Sequence, residues 1–323
     1  MIISASYKTD IPTFYGEWFV RRLRAGFCKM LNPYNRRAIH VSLSREDVDG
    51  FVFWTKNIGP FIPHLAEVQS RNFPFIIQHT INGYPRELEK AVVNAERSVE
   101  NLKRVAETYG AATCVWRYDT IIISSLTPED FHLRRFEELA KALSGVTDEV
   151  VISFVHVYAK TLRNMEAAAK EHGFTWSDPS LEEKKNLASK LAAIAREHGM
   201  QLTICSQREY LVEGAGDARC VDAQRLERVG GSRIRASLKG NRKECGCFAS
   251  RDIGEYDTCP HGCVYCYAVR SHELAQRRFK QHNPDSEFLF EPDFPVSQEP
   301  AADADQLGLF EEKLKEGKAR GKA

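Results

Sequence analysis

The sequence lacks both long hydrophobic runs and an excess of charge of one sign. Its longest apolar-rich run, residues 150–159, includes Ser153 and His156 and is too short to span a bilayer. The 323 residues include 45 Lys and Arg against 44 Asp and Glu, which leaves a net charge of +1. This balance argues against a surface that binds polyanions as a whole, so a nucleic-acid contact would need a local patch.

Two sequence signals are also missing. The N-terminus has no basic leader before Lys8, so we expect no signal peptide, no membrane attachment and a cytoplasmic protein. No G-x-G-x-x-G follows the first predicted strand, so a dinucleotide-binding fold lacks its fingerprint. Hydrophobic residues make up 43% of the chain and aromatic residues 10%, which is enough for a full core and excludes global disorder.

The first 210 residues alternate β-type and helical patterns. Strands are predicted at 2–6, 50–54, 75–80, 113–122, 149–158 and 201–206, and helices at 17–24, 60–69, 85–109, 127–144 and 181–198. This alternation predicts an α/β protein with a parallel sheet, and without the dinucleotide fingerprint we expect a partial or full TIM-barrel-like fold. We assign 1–210 to the barrel core, 211–282 to a cysteine-rich segment packed on it, and 283–323 to a flexible tail.

Polar side chains recur where the predicted strands end. In an α/β barrel that edge carries the active site, so five of them are predicted to contact substrate or cofactor. They are Lys56, His79, Arg117, Asp119 and His156. The alternative is that they are helix caps and solvated strand ends.

Nine cysteines occur, and five of them fall between residues 245 and 266. Cys259, Cys263 and Cys266 have the spacing C-x3-C-x2-C, and three such thiolates can face one soft metal centre. Three thiolates leave one iron of a [4Fe–4S] cluster open, as catalysis needs. A zinc site, a closed electron-transfer cluster and plain structural thiols are the alternatives.

The remaining cysteines divide into two groups. Cys245 and Cys247 are interpreted as ligands of a second metal, a redox pair or buried thiols, and Cys220 as a further candidate ligand. Cys28, Cys114 and Cys205 are predicted to be core residues.

The loop 259–267, with Tyr265 before its last cysteine, resembles the cluster-binding loop of the radical S-adenosylmethionine (SAM) superfamily. The string 263–268 is close to that of the spore photoproduct lyase-like branch, and segments 4–12 and 53–57 resemble an uncharacterised bacterial family over residues 1–290. The resemblance implies a [4Fe–4S] cluster on Cys259, Cys263 and Cys266, with SAM at the open iron and Tyr265 near the cofactor. It also implies reductive cleavage of SAM to a 5′-deoxyadenosyl radical, with an electron donor such as flavodoxin or ferredoxin.

The position of this loop departs from the superfamily, in which it usually follows the first strand. Here it follows six predicted strands. We therefore predict a circular permutation, in which a strand before Cys259 and a helix at 271–281 form a unit beside the strand at 2–6.

The C-terminal residues Gln306, Leu307, Leu309 and Phe310 resemble the peptide by which bacterial replication and repair proteins bind the DNA sliding clamp. Together with the cysteine loop, this peptide favours a radical enzyme that repairs DNA or nucleotide lesions. Basic residues between 233 and 282 could hold phosphates, or form an ordinary solvated face. The alternatives are a radical SAM enzyme for a small metabolite or peptide, and a non-enzymatic zinc or iron–sulfur protein.

Overall fold

A computed structural model describes residues 1–32, 35–240 and 244–297 of the chain. Its strands and helices follow the alternation predicted for an α/β protein. The strands are β1 (Ile2–Ala5), β2 (Phe27–Leu31), β3 (Ala38–Ser42), β4 (Gly50–Thr55), β5 (Phe75–Thr80), β6 (Cys114–Ile121), β7 (Ile123–Ser124), β8 (Glu149–Phe154), β9 (Trp176–Ser177), β10 (Gln201–Ile204), β11 (Ala215–Asp217) and β12 (Ser250–Asp252). The helices are α1 (Ile11–Phe14), α2 (Gly16–Ala25), α3 (Ile62–Ser70), α4 (Ala95–Tyr109), α5 (Glu129–Leu143), α6 (Ala159–His172), α7 (Leu181–Glu197), α8 (Ala223–Gly230) and α9 (His272–Lys280).

Eight strands form one sheet in the order β11-β10-β8-β6-β5-β4-β1-β12. All neighbours in this sheet run parallel. An α/β fold with a parallel sheet is therefore confirmed. The edge strands β11 and β12 have no ladder between them within the described ranges, so hydrogen bonds do not close the sheet into a barrel.

The last strand of the described ranges lies beside the first. Ile2 is opposite Ser250 and Ser4 is opposite Asp252 in a parallel pair, and α9 follows within the next 30 residues or so. The predicted neighbour relation between the strand before Cys259 and the strand at 2–6 is thus confirmed. Both edge strands of the sheet come from residues 211–282.

One face of the sheet is covered by helices, and the other changes from apolar to polar along the strands. Ile2, Val52, Ile76, Val115 and Val151 form an apolar layer on this second face, which packs against the segment around α8. Two residues further along each strand, the same face carries a polar or aromatic side chain, because side chains alternate with a period of two. These are Ser4, Trp54, Gln78, Arg117 and Ser153. The polar layer leads toward the carboxyl ends of the strands.

Several elements differ from the sequence-based prediction. The predicted strand at 149–158 ends at Phe154, and the unpredicted helix α6 begins at Ala159. The predicted helix at 85–109 begins only at Ala95, where the Asn94 side chain accepts a hydrogen bond from the Arg97 N–H. The hairpin of β2 and β3 was also not predicted. Its alternation of buried and partly exposed residues is irregular, which hides the period-two signal.

The first residues of the predicted flexible tail are packed on the domain, which corrects that prediction. The Trp18 indole N–H donates to the Ser286 carbonyl at 3.0 Å, and the Lys29 N–H donates to the Glu287 carbonyl at 2.8 Å. Leu289 is 4% exposed within the main core. These contacts order residues 283–297, and an acidic, proline-containing composition does not reveal them. The clamp-peptide residues 306–310 lie outside the described residues.

The described ranges contain no helix that combines the length and the apolar character needed to cross a membrane.

Candidate functional site

A cavity of about 690 Å³ lies at the carboxyl ends of the parallel strands. Its volume is within the roughly 300–1,000 Å³ of small-molecule sites. Of the residues predicted for the site, all except His79 line it: Lys56, Arg117, Asp119, His156, Cys259, Cys263, Tyr265 and Cys266. This is the edge of a parallel α/β sheet at which ligands bind.

The cysteine loop reaches the cavity because it is held against the connection between β5 and α4. The Ala91 N–H donates to the His261 carbonyl at 2.8 Å, and the Val264 N–H donates to the Leu88 carbonyl at 3.1 Å. Gly262 has φ of +71°, and a Cβ there would lie 2.8 Å from Nδ1 of His272. The loop therefore needs glycine at this position. Residues 85–94 are not helical because backbone groups of this segment form hydrogen bonds with the cysteine loop instead.

Two of the three thiols of the loop, those of Cys259 and Cys266, have backbone donors aimed at their sulfur atoms. The Ala268 N–H donates to Cys266 Sγ at 3.4 Å, and backbone N–H groups of His261 and Asp10 approach the Cys259 sulfur. Burial raises the pKa of Cys259, Cys263 and Cys266. A bound metal reverses this effect, because a coordinating thiol loses its proton outright.

The chemistry of these donors fits an iron–sulfur cluster. Thiolates are soft ligands, and N–H groups directed at sulfur are a known influence on such clusters. Within the part of the chain that the structure describes, no three His, Cys, Asp or Glu side chains form a group that could hold a metal ion as they stand. The case for a cluster at this loop therefore rests on the thiol ligands and on the N–H groups directed at their sulfurs.

Beside the loop, Glu89 accepts hydrogen bonds from two predicted site residues. Lys56 Nζ lies 2.8 Å from Glu89 Oε1, and the Tyr265 hydroxyl donates to the same oxygen. Lys56 Nζ also lies 5.6 Å from the centroid of the Tyr265 ring. Burial acts to lower the pKa of Lys56, but the Glu89 carboxylate outweighs it and the pKa is raised. A cation is thereby kept next to Cys263.

Asp10 and His261 form a buried pair that the sequence did not single out. His261 Nε2 lies 2.8 Å from Asp10 Oδ2, and the Lys56 N–H donates to the same oxygen at 2.8 Å. Burial acts to raise the pKa of Asp10, yet the His261 hydrogen bond and the backbone donors leave it lowered. The opposite ring atom, His261 Nδ1, is buried without a hydrogen-bond partner. Asp10 follows β1 and meets the strand-end criterion, although it was not among the five residues selected with it.

Arg117 and Asp119 form an ion pair across the polar layer of the sheet. Arg117 Nη1 also donates to Gln78 Oε1 at 3.2 Å and to Cys220 Sγ at 2.9 Å. The Ser153 hydroxyl donates to Asp119. Burial acts to raise the pKa of Asp119, but the Arg117 guanidinium and the Ser153 hydroxyl hold it below its usual value. The carboxylate stays ionised at the cavity wall.

The two predicted histidines lie in different places. His156 lines the cavity, with its Nε2 3.2 Å from Gln207 Nε2. His79 is completely buried on the helix-covered face, because its neighbour Gln78 occupies the cavity face. Burial lowers the pKa of His79 to about 4.

Four further cysteines line the same cavity. They are Cys205, Cys220, Cys245 and Cys247, which also pack in or against the apolar cluster around α8. Cys205 was predicted to be a core residue, although it directly follows β10, where the strand-end criterion applies. Cys28 and Cys114 are completely buried in the main core, as predicted.

Residues 2–268 match one protein-family model, described as Domain of unknown function (DUF1848). No curated protein and no solved structure matches the chain. The family match covers most of the chain, including all eight strands of the sheet and the three cysteines of the loop. The chain therefore belongs to the DUF1848 family.

Proposed function

We propose that this protein is a radical SAM enzyme whose [4Fe–4S] cluster is held by Cys259, Cys263 and Cys266. The observation that carries this proposal is the position of the cysteine loop. Its three thiols line a cavity at the carboxyl edge of a parallel sheet, together with charged side chains from three strand ends. Structural metal sites are closed by protein ligands, whereas three thiolates beside a cavity leave a coordination position open to a ligand, as catalytic sites do.

When bound, the cluster supplies the electron that cleaves SAM into methionine and a 5′-deoxyadenosyl radical. The side chains of the protein bind SAM and the substrate and orient them. Lys56, kept protonated by Glu89, places positive charge beside Cys263 and is suited to an anionic group of the cofactor. Tyr265 shares Glu89 and holds the loop against that pair. Arg117, Asp119 and His156 line the wall, where they offer polar contacts to substrate or SAM.

In this proposal the sheet is a partial barrel, open between β11 and β12 and circularly permuted relative to the superfamily. Its strands follow one another around the sheet as they do in a TIM barrel, with β12 placed before β1. The permutation puts the cysteine loop after β12 instead of after the first strand of the chain.

The decisive experiment is anaerobic reconstitution with iron and sulfide, followed by reduction and measurement of 5′-deoxyadenosine formed from SAM. We expect cleavage by the wild-type protein and none by Cys263→Ala. Cys28→Ala is the matched control, since Cys28 is a buried core thiol away from the cavity, and it should still cleave SAM. Tightly held zinc without cleavage would overturn the proposal.

For the substrate we propose a lesion in DNA or in a nucleotide. The support is the photoproduct lyase-like cysteine string and the clamp-type peptide at 306–310. A cavity of about 690 Å³ cannot take a duplex, so a lesion base would have to be flipped out of the helix. A small metabolite or peptide is the alternative that the same cavity admits.

The substrate class is tested by binding of the full chain to a bacterial sliding clamp, measured by surface plasmon resonance. We expect binding that is lost when Leu309 and Phe310 are both changed to Ala, since these are the apolar anchors of the peptide. If the wild-type chain does not bind the clamp, the link to DNA fails, and the metabolite or peptide substrate takes its place.

A further inference from the structure

We propose that Cys205, Cys220, Cys245 and Cys247 hold a second iron–sulfur cluster. They come from three segments of the chain: the end of β10, the connection after β11, and the segment before β12. The fold brings all four to the wall of the cavity that the loop at 259–266 also lines. This proposal depends only on these four cysteines, and it holds whether or not the protein cleaves SAM at the loop.

The four thiols form one continuous group. Cys220 Sγ lies 3.4 Å from Cys205 Sγ. The Cys220 side chain is also within hydrogen-bonding reach of Cys247, and Cys247 is within reach of Cys245. Four cysteine side chains are the complete ligand set of both [2Fe–2S] and [4Fe–4S] clusters.

Hydrogen-bond donors of the protein are directed at two of the four sulfurs. Arg117 is 4% exposed, and its guanidinium donates to Cys220 Sγ at 2.9 Å. The Val221 N–H donates to Cys247 Sγ at 3.3 Å. An N–H donor directed at sulfur favours a metal-bound thiolate, and hydrogen bonds to sulfur adjust the properties of an iron–sulfur cluster.

The closest two sulfurs, those of Cys205 and Cys220, are near enough to bind one metal atom, and the other two need not bind the same one. Among the residues described, no three His, Cys, Asp or Glu side chains form a group that could hold one ion as they stand. A cluster does not require this convergence, because its cysteines bind different irons. With four thiolates the cluster has no open iron, so its role is to carry electrons, and the shared cavity puts it beside the first loop.

The test uses the full chain, reconstituted anaerobically with iron and sulfide, and two sets of variants. In the first, Cys259, Cys263 and Cys266 are all changed to Ala. We expect this variant to keep a cluster, with about two to four irons per chain and an electron paramagnetic resonance (EPR) signal that does not change when SAM is added. In the second, Cys245→Ala and Cys247→Ala are combined. This variant should lose the EPR signal that is insensitive to SAM and keep the iron bound by Cys259, Cys263 and Cys266.

Cys28→Ala is the matched control and should retain the wild-type iron and sulfide content. Circular dichroism checks that each variant folds, and Cys245→Ala alone replaces the double variant if the latter does not, because Cys245 is only half-buried. A folded triple variant without iron and sulfide, or with zinc instead, would overturn the second cluster. If SAM is not cleaved but the triple variant still holds its cluster, the proposed function fails and the proposal of a second cluster is unaffected.

Discussion

At the scale of single residues, the charged side chains around the cavity are buried in pairs. Asp10 contacts His261, Lys56 contacts Glu89, and Arg117 contacts Asp119. Taking such groups out of water costs several kcal/mol each, and the partner has to offset that cost. The pairs are therefore sensitive to the loss of one member.

Glu89→Gln tests this sensitivity. The Glu89 side chain is 4% exposed and that of Lys56 is 15% exposed, so the variant leaves a mostly buried ammonium without its counter-charge. We expect the free energy of unfolding to fall by about 3 kcal/mol, measured by urea unfolding at pH 7.

The control is Glu138→Gln, which breaks the ion pair with Arg135 at a side chain that is 63% exposed. Exposed pairs contribute less than about 1 kcal/mol, so this variant should stay close to wild type. Equal effects of the two substitutions would contradict the argument from burial.

His79 predicts a loss of stability in mild acid. Burial lowers its pKa from 6.5 to about 4, so the unfolded chain takes up the proton first. Stability from this group is complete above pH 6.5, declines as the pH falls, and is lost below about 4. The decline amounts to about 3 kcal/mol.

His79→Leu should flatten this decline, as seen by urea unfolding at several pH values between 4 and 7. Some decline remains, because burial also lowers the pKa of His132 to about 4. Measurements at pH 8, where both imidazoles are neutral in both states, report any packing cost separately. An unchanged slope in His79→Leu would refute the assignment.

At the scale of elements, a local capping motif marks the start of α7. Ser180 precedes α7 and accepts a hydrogen bond from the Glu183 N–H, while the Glu183 side chain accepts one from the Ser180 N–H. This capping box satisfies two donors that the first turn leaves unpaired. Such a start is readable from four consecutive residues.

Ser180→Ala should lower the free energy of unfolding by about 1 kcal/mol, measured by thermal or urea unfolding. Ser180→Asn is the matched control, because asparagine is as good an N-cap as serine and should preserve the stability. The cap would have no energetic role if both variants unfolded like the wild type.

At the scale of the whole molecule, segments from the C-terminal part of the described chain pair with and pack on N-terminal elements. The strand β12 pairs with β1, and residues 283–297 pack on α2 and the β2–β3 hairpin. The C-terminal part of the described chain thus stabilises the N-terminal part. Leu289 is the apolar anchor of this contact.

Leu289→Ala should lower the free energy of unfolding by about 2–3 kcal/mol in a single cooperative transition, because it leaves a cavity in the main core. The control is Leu181→Ala, at a side chain that is 51% exposed, where the change should stay below about 1 kcal/mol. A Leu289→Ala protein with wild-type stability would mean that the segment adds nothing to the fold.

The sequence by itself determined six strands of the sheet, several helices and the cysteine loop. The six predicted strands and the helices near 17–24, 127–144 and 181–198 are present within a few residues, since periodicity and capping are local properties. The unit of β12 and α9 beside β1 was predicted from the resemblance of the loop to the radical SAM superfamily, together with its late position in the chain. Lys56, Arg117, Asp119 and His156 could be found because parallel strands present their ends at one edge.

Only the tertiary structure decided which residues meet across long separations. Asp10 and His261 are 251 positions apart, and Cys205 and Cys220 are joined to Cys245 and Cys247 by the fold alone. The faces of β5 separate Gln78 from His79, a choice that depends on which side of the sheet the helices cover. Contacts of this kind arise from packing between elements, and no local pattern in the chain encodes them.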